Sequence, residues 1–154
     1  MSTIKPTQAL LDVATENSLG YLACAYSASG FKAIETARAE EITLVFDELR
    51  NIGINTYSPI TASHYAHTLT NTTGDWESWK SLDSTMLSKC DYILVYETNY
   101  TIKSKGVREE LIQAINQNKP ILFMNDSTRD VSTSPHRPET REWLDSLYTR
   151  HRFN

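Results

Sequence analysis

Cysteine is scarce in this chain: Cys24 and Cys90 are the only two among 154 residues. Neither lies in a CxxC, and no Cys/His cluster has the spacing of a zinc site, which excludes a metal-built or disulfide-built scaffold. Cys24 lies inside an apolar run and Cys90 abuts another, so both are expected as buried free thiols. An excess of basic charge is also lacking. The net charge is −4, so the broad cationic footprint of a nucleic-acid binder is absent and no polymer partner is expected. A small anionic ligand needs only one or two local cations and stays open. No apolar run reaches the ~20 residues of a membrane span. The opening MSTIKPTQALLDVATENS is too polar for a secretory segment. No membrane partner is expected, and the expected compartment is the cytoplasm. Repeats and low-complexity tracts are missing too.

What is present is an ordinary globular composition, 40% hydrophobic and 22% charged. The length fits one domain, and a domain of this size buries roughly 70% of the surface its unfolded chain exposes. The spacing of apolar residues predicts a short helix over 7–17 and a buried strand over 21–27. A long amphipathic helix follows over 31–53, with Ile34, Ala37, Leu44, Val45, Leu49 and Ile52 on its apolar side. A strand over 54–60 ends at Pro59. The polar, Thr- and His-rich stretch 61–75 reads as a long loop, a length often functional. A helix over 76–90 has Trp76, Trp79, Leu82, Met86 and Leu87 on one side. Then come a strand (91–97), a loop, a helix (107–118), a strand (119–125), a loop (126–138) and a last helix (139–150). Strands alternate with helices, and three strands are continuous apolar runs. That predicts an α/β fold: a small doubly wound, flavodoxin- or Rossmann-like parallel sheet of four to five strands with helices on both faces.

Ligands in such folds sit beyond the carboxyl ends of the strands, near the switch in strand order. This selects Tyr26, Ser27, Ser29 and Gly30 after the first strand, and Ser58, Thr61 and His64 after the second. After the third come Ser104 and Gly106, leading into a helix with Glu109 and Glu110. The apolar stripe of that helix is Val107, Leu111, Ala114 and Ile115. Glu110 lies three after Val107 and four before Ala114, so it shares the packed side, whereas Glu109 does not. A first-turn position would set Glu110 at the positive end of the helix dipole and keep it ionised. Dipole complementation alone would also explain a glutamate there. Gly106 leaves room for a ligand near the backbone. Asp83, four residues from both Trp79 and Leu87, is a second carboxylate on a packed face, which needs a partner or a task. Asp91 opens a strand, where bonding to nearby backbone is the plainer role.

These residues resemble a known family. YLACAYS, YSPITASH, WESWKSLDSTMLSKCDYILV and SKGVREELIQA are similar to motifs of the nucleoside 2-deoxyribosyltransferase superfamily, in a branch of small bacterial and phage domains. The likeness spans residues 21 to about 125. It implies that Glu110 attacks C1′ of a nucleoside or nucleotide and that Asp83 assists departure of the base. It also implies roles at the substrate for Tyr26, Ser27, Arg38, Ser58, His64, Asp91, Ser104 and Gly106. The chain departs from the pattern at Ala25, where relatives have proline, and at Asn99-Tyr100, where they have Gly-Trp.

The implied chemistry is N-glycosidic cleavage or (deoxy)ribosyl transfer on a nucleoside or nucleoside 5′-monophosphate, with no cofactor or metal. An NAD-derived substrate is a third possibility. The resemblance also implies a homo-oligomer, and the basic, aromatic tail YTRHRFN could reach a neighbouring subunit's site or simply fray. The loop of Ser27, Ser29, Gly30 and Lys32 is either an anion site at a helix start or a tight turn. Arg38 can pair with carboxylates on its own helix just as well as it can meet a ligand. The competing expectation is a non-catalytic nucleotide-binding module on the same fold. An ion pair of Glu110 with Arg38 or Arg108 would favour it.

Overall fold

The computed structural model describes residues 3–70 and 76–151. The end of the expected 61–75 loop and the last three residues of the tail lie outside the described residues.

Three buried strands form the centre: β1 (Gly20–Ala23), β3 (Tyr92–Glu97) and β4 (Ile121–Asn125). They are parallel, and β2 (Thr56–Tyr57) pairs parallel with β1. A short β5 (Val131–Ser132) runs antiparallel against β4. The order is β2-β1-β3-β4-β5. The run 126–138 was expected as loop throughout; two residues are too few to leave a sequence period, so the edge strand was not visible there.

Strand residues alternate between two cores, as the pleat requires. Leu22, Leu94, Leu122 and Met124 face one layer, made by α1 (Gln8–Val13), α2 (Lys32–Asn51) and the start of α3 (Pro59–Thr70). Tyr21, Ala23, Ile93, Val95 and Phe123 face the other, made by α4 (Trp76–Lys89), α5 (Lys105–Asn116) and α6 (Pro138–His151). Ala23 pairs with Val95 and Val95 with Phe123, a continuous apolar row under α5. Each large side chain fully buried in such a row stabilises by about 1.5–3 kcal/mol. The helix after β1 covers one face and the helix after β3 the other. The crevice between the carboxyl ends of β1 and β3 is therefore the switch point.

Four local expectations are corrected. Residues 59–70 are helix, where 59–60 were expected to close a strand and 61–70 to be loop. Ser58 caps that helix by accepting from Thr61 N–H at 3.3 Å, and Pro59 opens it, where its missing N–H costs nothing. In α2 the buried stripe is Ala39, Ile42, Val45 and Leu49, while Ile34, Leu44 and Ile52 are exposed. In α4 the buried residues are Asp83 and Leu87, and Leu82 is exposed. Finally α5 starts two residues early, because Ser104 caps it by accepting from Val107 N–H at 3.2 Å.

Candidate active site

A cleft of about 510 Å³ opens at the switch point. Its walls are the segment after β1, the first turn of α3, the amino-terminal half of α4, and residues 103–106 leading into α5. Glu110 and Asp83 lie at its base. Glu110 is buried at 8% exposure on the packed side of α5, as its spacing predicted. The early start of α5 puts it in the second turn. Helix-dipole stabilisation falls off within the first turn, so that influence is lost here. Tyr21, on β1, donates its hydroxyl proton to Glu110 Oε2. Burial pushes the Glu110 carboxyl up to about 8, the Tyr21 bond pulls it down, and the nearby Asp83 charge pushes it up again. The expectation of an ionised Glu110 is thus reversed: at neutral pH the carboxyl holds its proton. Burial dominates because a desolvated carboxylate with one neutral hydrogen-bond donor is under-compensated.

Asp83 is 9% exposed, and its Oδ1 is buried with no hydrogen-bond partner. Burial pushes it up to about 6. Trp76 and Trp79 line the cleft with it; positions 76, 79 and 83 follow one stripe of α4. Both tryptophans share the side of α4 that the spacing predicts, and that side forms a cleft wall. A second cleft of about 600 Å³ between α4 and α5 shares Trp76, Asp83 and Glu110. Glu110 makes no ion pair with either nearby arginine. Arg108 pairs with Glu109 at 2.9 Å. Arg38 donates to the carbonyls of Tyr26 and Ser27 at 3.1 and 2.8 Å and stacks on Tyr100 at 4.2 Å.

The other expected site residues divide. Tyr26, Ser27, Ser104 and Gly106 line the cleft. Gly106 lets Trp76 pack close to the backbone, since a Cβ there would lie 3.3 Å from Trp76 Cδ1. Ser29 lines it as well, with Ser29 and Gly30 both at positive φ. Arg38 braces the loop after β1 from behind. Ser58 is a helix cap. His64 bonds Tyr26 at 2.6 Å without lining the cleft. Asp91 is far from it in the fold: it immediately precedes β3 at the amino end of the sheet and accepts Leu19 N–H at 2.8 Å. The structure gives Asp91 the backbone role and not a ligand role. Both cysteines are free and buried; burial pushes the Cys24 thiol up to about 12.

Residues 19–126 match a family described as a domain of unknown function, DUF1937. The chain belongs to that family. No curated protein matches it. The DUF1937 segment runs from just before β1 to just past β4, so it contains every cleft wall described here. Among the described residues of the DUF1937 domain, no helix is long and apolar enough to cross a membrane.

Two features of this DUF1937 cleft escaped the sequence. Tyr21 reaches Glu110 only because parallel pairing sets β1 beside β3 and α5 returns across that face. The alternation of Tyr21 with Leu22 was a usable signal, since it placed a hydroxyl on the same face as the helix bearing Glu110. At the rim, Glu77 accepts from Lys105 at 2.8 Å and Lys80 at 3.0 Å. Both ammonium groups also lie over Trp76, at 5.3 and 5.4 Å, and fix that ring where α4 meets α5.

Proposed function

We propose that this domain cleaves or transfers the N-glycosidic bond of a nucleoside or nucleoside 5′-monophosphate. The buried pair of Asp83 and Glu110 carries the reading. With pKa values near 6 and 8, the two carboxyls together hold one proton over the interval between. N-glycosidic cleavage needs that inventory: one anion to meet the developing cationic C1′, and one proton for the departing base.

In the first step Glu110 Oε attacks C1′, the C1′–N bond breaks with its electron pair going to the base, and Asp83 delivers the proton. In the second step water or another base attacks C1′ and gives its proton to Asp83, and the Glu110–C1′ bond breaks. Glu110 is the more basic of the two, so the productive form has the proton on the less basic partner. Positive charge at C1′ favours this form, since it stabilises the Glu110 anion. Tyr21 holds the Glu110 oxygen and keeps donating to it as charge builds. Trp76 and Trp79 offer ring faces to an aromatic leaving group, with Asp83 next along the same stripe. The motif resemblance to nucleoside 2-deoxyribosyltransferases assigns the same two carboxylates to these roles. Hydrolysis is favoured over transfer, by that resemblance alone.

One observation favours the second reading, a nucleotide-binding module without catalysis. A Glu110 neutral at pH 7 does not repel an anionic ligand. A single experiment separates the two. Wild type and Glu110→Ala are incubated with a panel of nucleosides, 5′-monophosphates and NAD, and free base is detected by chromatography. Base release lost by at least about 10³-fold in the variant, about 4 kcal/mol of barrier, supports the enzyme. Saturable binding with no release from any compound supports the module. For an enzyme, the rate against pH is bell-shaped, with limbs near the two carboxyl values.

A further inference from the structure

Tyr26 lines the cleft, yet its hydroxyl is engaged by two side chains that do not. Its oxygen lies 2.6 Å from His64 Nδ1 and 2.6 Å from His67 Nε2. Both histidines come from α3, where a spacing of three sets them on one face. The imidazole centroids are 5.4 Å apart and each ring meets Tyr26 edge-on.

A phenol has one proton, so it donates to one imidazole and accepts from the other. With both rings neutral, opposite donor and acceptor nitrogens face the oxygen and the chain is complete. One added proton also leaves it complete: the charged ring donates and the neutral ring accepts. A second proton removes the bond that the phenol donates, since both facing nitrogens then carry hydrogen and neither can accept from it. Two cations at this separation also repel. Burial and then the His67 charge hold His64 below the usual histidine range, against the opposing pull of Glu35 and Glu40 on α2. Glu35 itself accepts Ala28 N–H at 2.9 Å, and burial then Glu35 push Tyr26 up to about 12, so the phenol keeps its proton. Arg38 sits on the backbone side of Tyr26, bound to carbonyls.

α3 leans on α2, where Thr61 and Thr43 share a hydrogen bond of 2.8 Å, but beyond its first turn it buries no residue fully. Its buried residues are Pro59 and Ile60, in the first turn, while Tyr65 and Leu69 are 69% and 66% exposed. Yet α3 carries Ile60 and Ser63 into the cleft wall. We propose that His64 and His67 are positioning residues: they lock Tyr26 and the α3 wall of the cleft while the pair carries at most one extra proton, and release both when it carries two. The clamp belongs to the wall itself and does not depend on glycosyl chemistry, so a test without substrate judges it separately from the function proposed above.

The test is an NMR titration of the imidazoles, with amide exchange of α3 measured at each pH and corrected for intrinsic rates. In wild type the pair takes up its two protons in separate steps, and α3 amides lose at least ~10-fold of protection at the second. In Tyr26→Phe the two steps draw together and α3 exchanges fast at every pH. His67→Gln keeps a hydrogen-bonding group that can accept from the phenol while His64 is charged, so α3 stays protected and the acid dependence disappears. Unseparated steps in wild type would overturn the clamp. So would acid-dependent loosening that persists in His67→Gln.

Discussion

Two buried glutamates flank the same turn and live in opposite chemical circumstances. Glu97 ends β3 and is wholly inaccessible. Its oxygens accept the N–H groups of His136 and Arg137 at 2.7 and 2.9 Å. The Arg137 guanidinium lies alongside, bound to the Glu97 carbonyl at 2.9 Å and to Asp126 at 2.8 Å. Glu110, thirteen residues later in the chain, has a single tyrosine donor and a second buried carboxyl nearby. Burial is common to both, so burial does not mark the site. What separates them is compensation. Both Glu97 oxygens are taken up by backbone donors, which tie the 133–138 segment to the sheet. Glu110 and Asp83 are buried without enough donors, a cost that a fold gains nothing from unless the groups act on something.

Removing each glutamate should therefore have opposite consequences for stability. Glu97→Ala strips the acceptor from two backbone N–H groups and from the neighbourhood of a guanidinium. The expected loss is about 3 kcal/mol, a fall in Tm of about 6–12 °C at this size, read by calorimetry. A Tm within a degree or two of wild type would erase the distinction. Glu110→Gln should do the reverse at alkaline pH. The folded protein binds the Glu110 proton up to about pH 8, whereas the unfolded chain releases it near pH 4.3. Between those values the native state holds more protons, so wild-type stability falls as pH rises and then levels off above pH 8. Glutamine has no proton to lose. The variant should match or trail wild type at pH 4 and exceed it by on the order of 1–3 kcal/mol at pH 9, as seen in urea melts at both values. A gap that does not change with pH would show that Glu110 ionises normally in the fold.

The same contrast explains which parts of the molecule were legible beforehand. The parallel sheet was readable because β3 and β4 are buried on both faces and need unbroken apolar runs. The inward direction of Glu110 was readable because helical spacing fixes it. Its protonation was not, since that depends on what surrounds it in three dimensions: Tyr21 from β1 and Asp83 from α4. α3 was hidden because threonine and histidine are indifferent helix formers and its first turn alone is buried. The Ser58-Pro59 pair was nevertheless a legible start signal, read only as the end of a strand. The role of Trp76 and Trp79 on their apolar stripe was hidden for a related reason. An apolar stripe shows which residues avoid water, and a cleft wall satisfies that as well as a core does. Leu82, counted with them, is in solvent, because the stripe turns toward Asp83 instead.

The finest test of the cleft wall is Gly106→Ala. The backbone there is ordinary helix, so alanine gains up to about 1 kcal/mol from propensity. Against that, its Cβ would lie 3.3 Å from Trp76 Cδ1 and 3.7 Å from Cγ. Trp76 must give by a few tenths of an ångström. It is pinned on one side by the lysines that bridge to Glu77, which leaves the cleft as its direction of retreat. Stability should change by less than about 0.5 kcal/mol, because the two effects oppose. If the rings of Trp76 and Trp79 receive the leaving group, KM should rise several-fold with kcat little changed, since the carboxyl pair is untouched. A fall in kcat with constant KM would instead place Trp76 at the reacting atoms. The variant thus separates an aromatic wall from a catalytic one by a displacement smaller than a bond length.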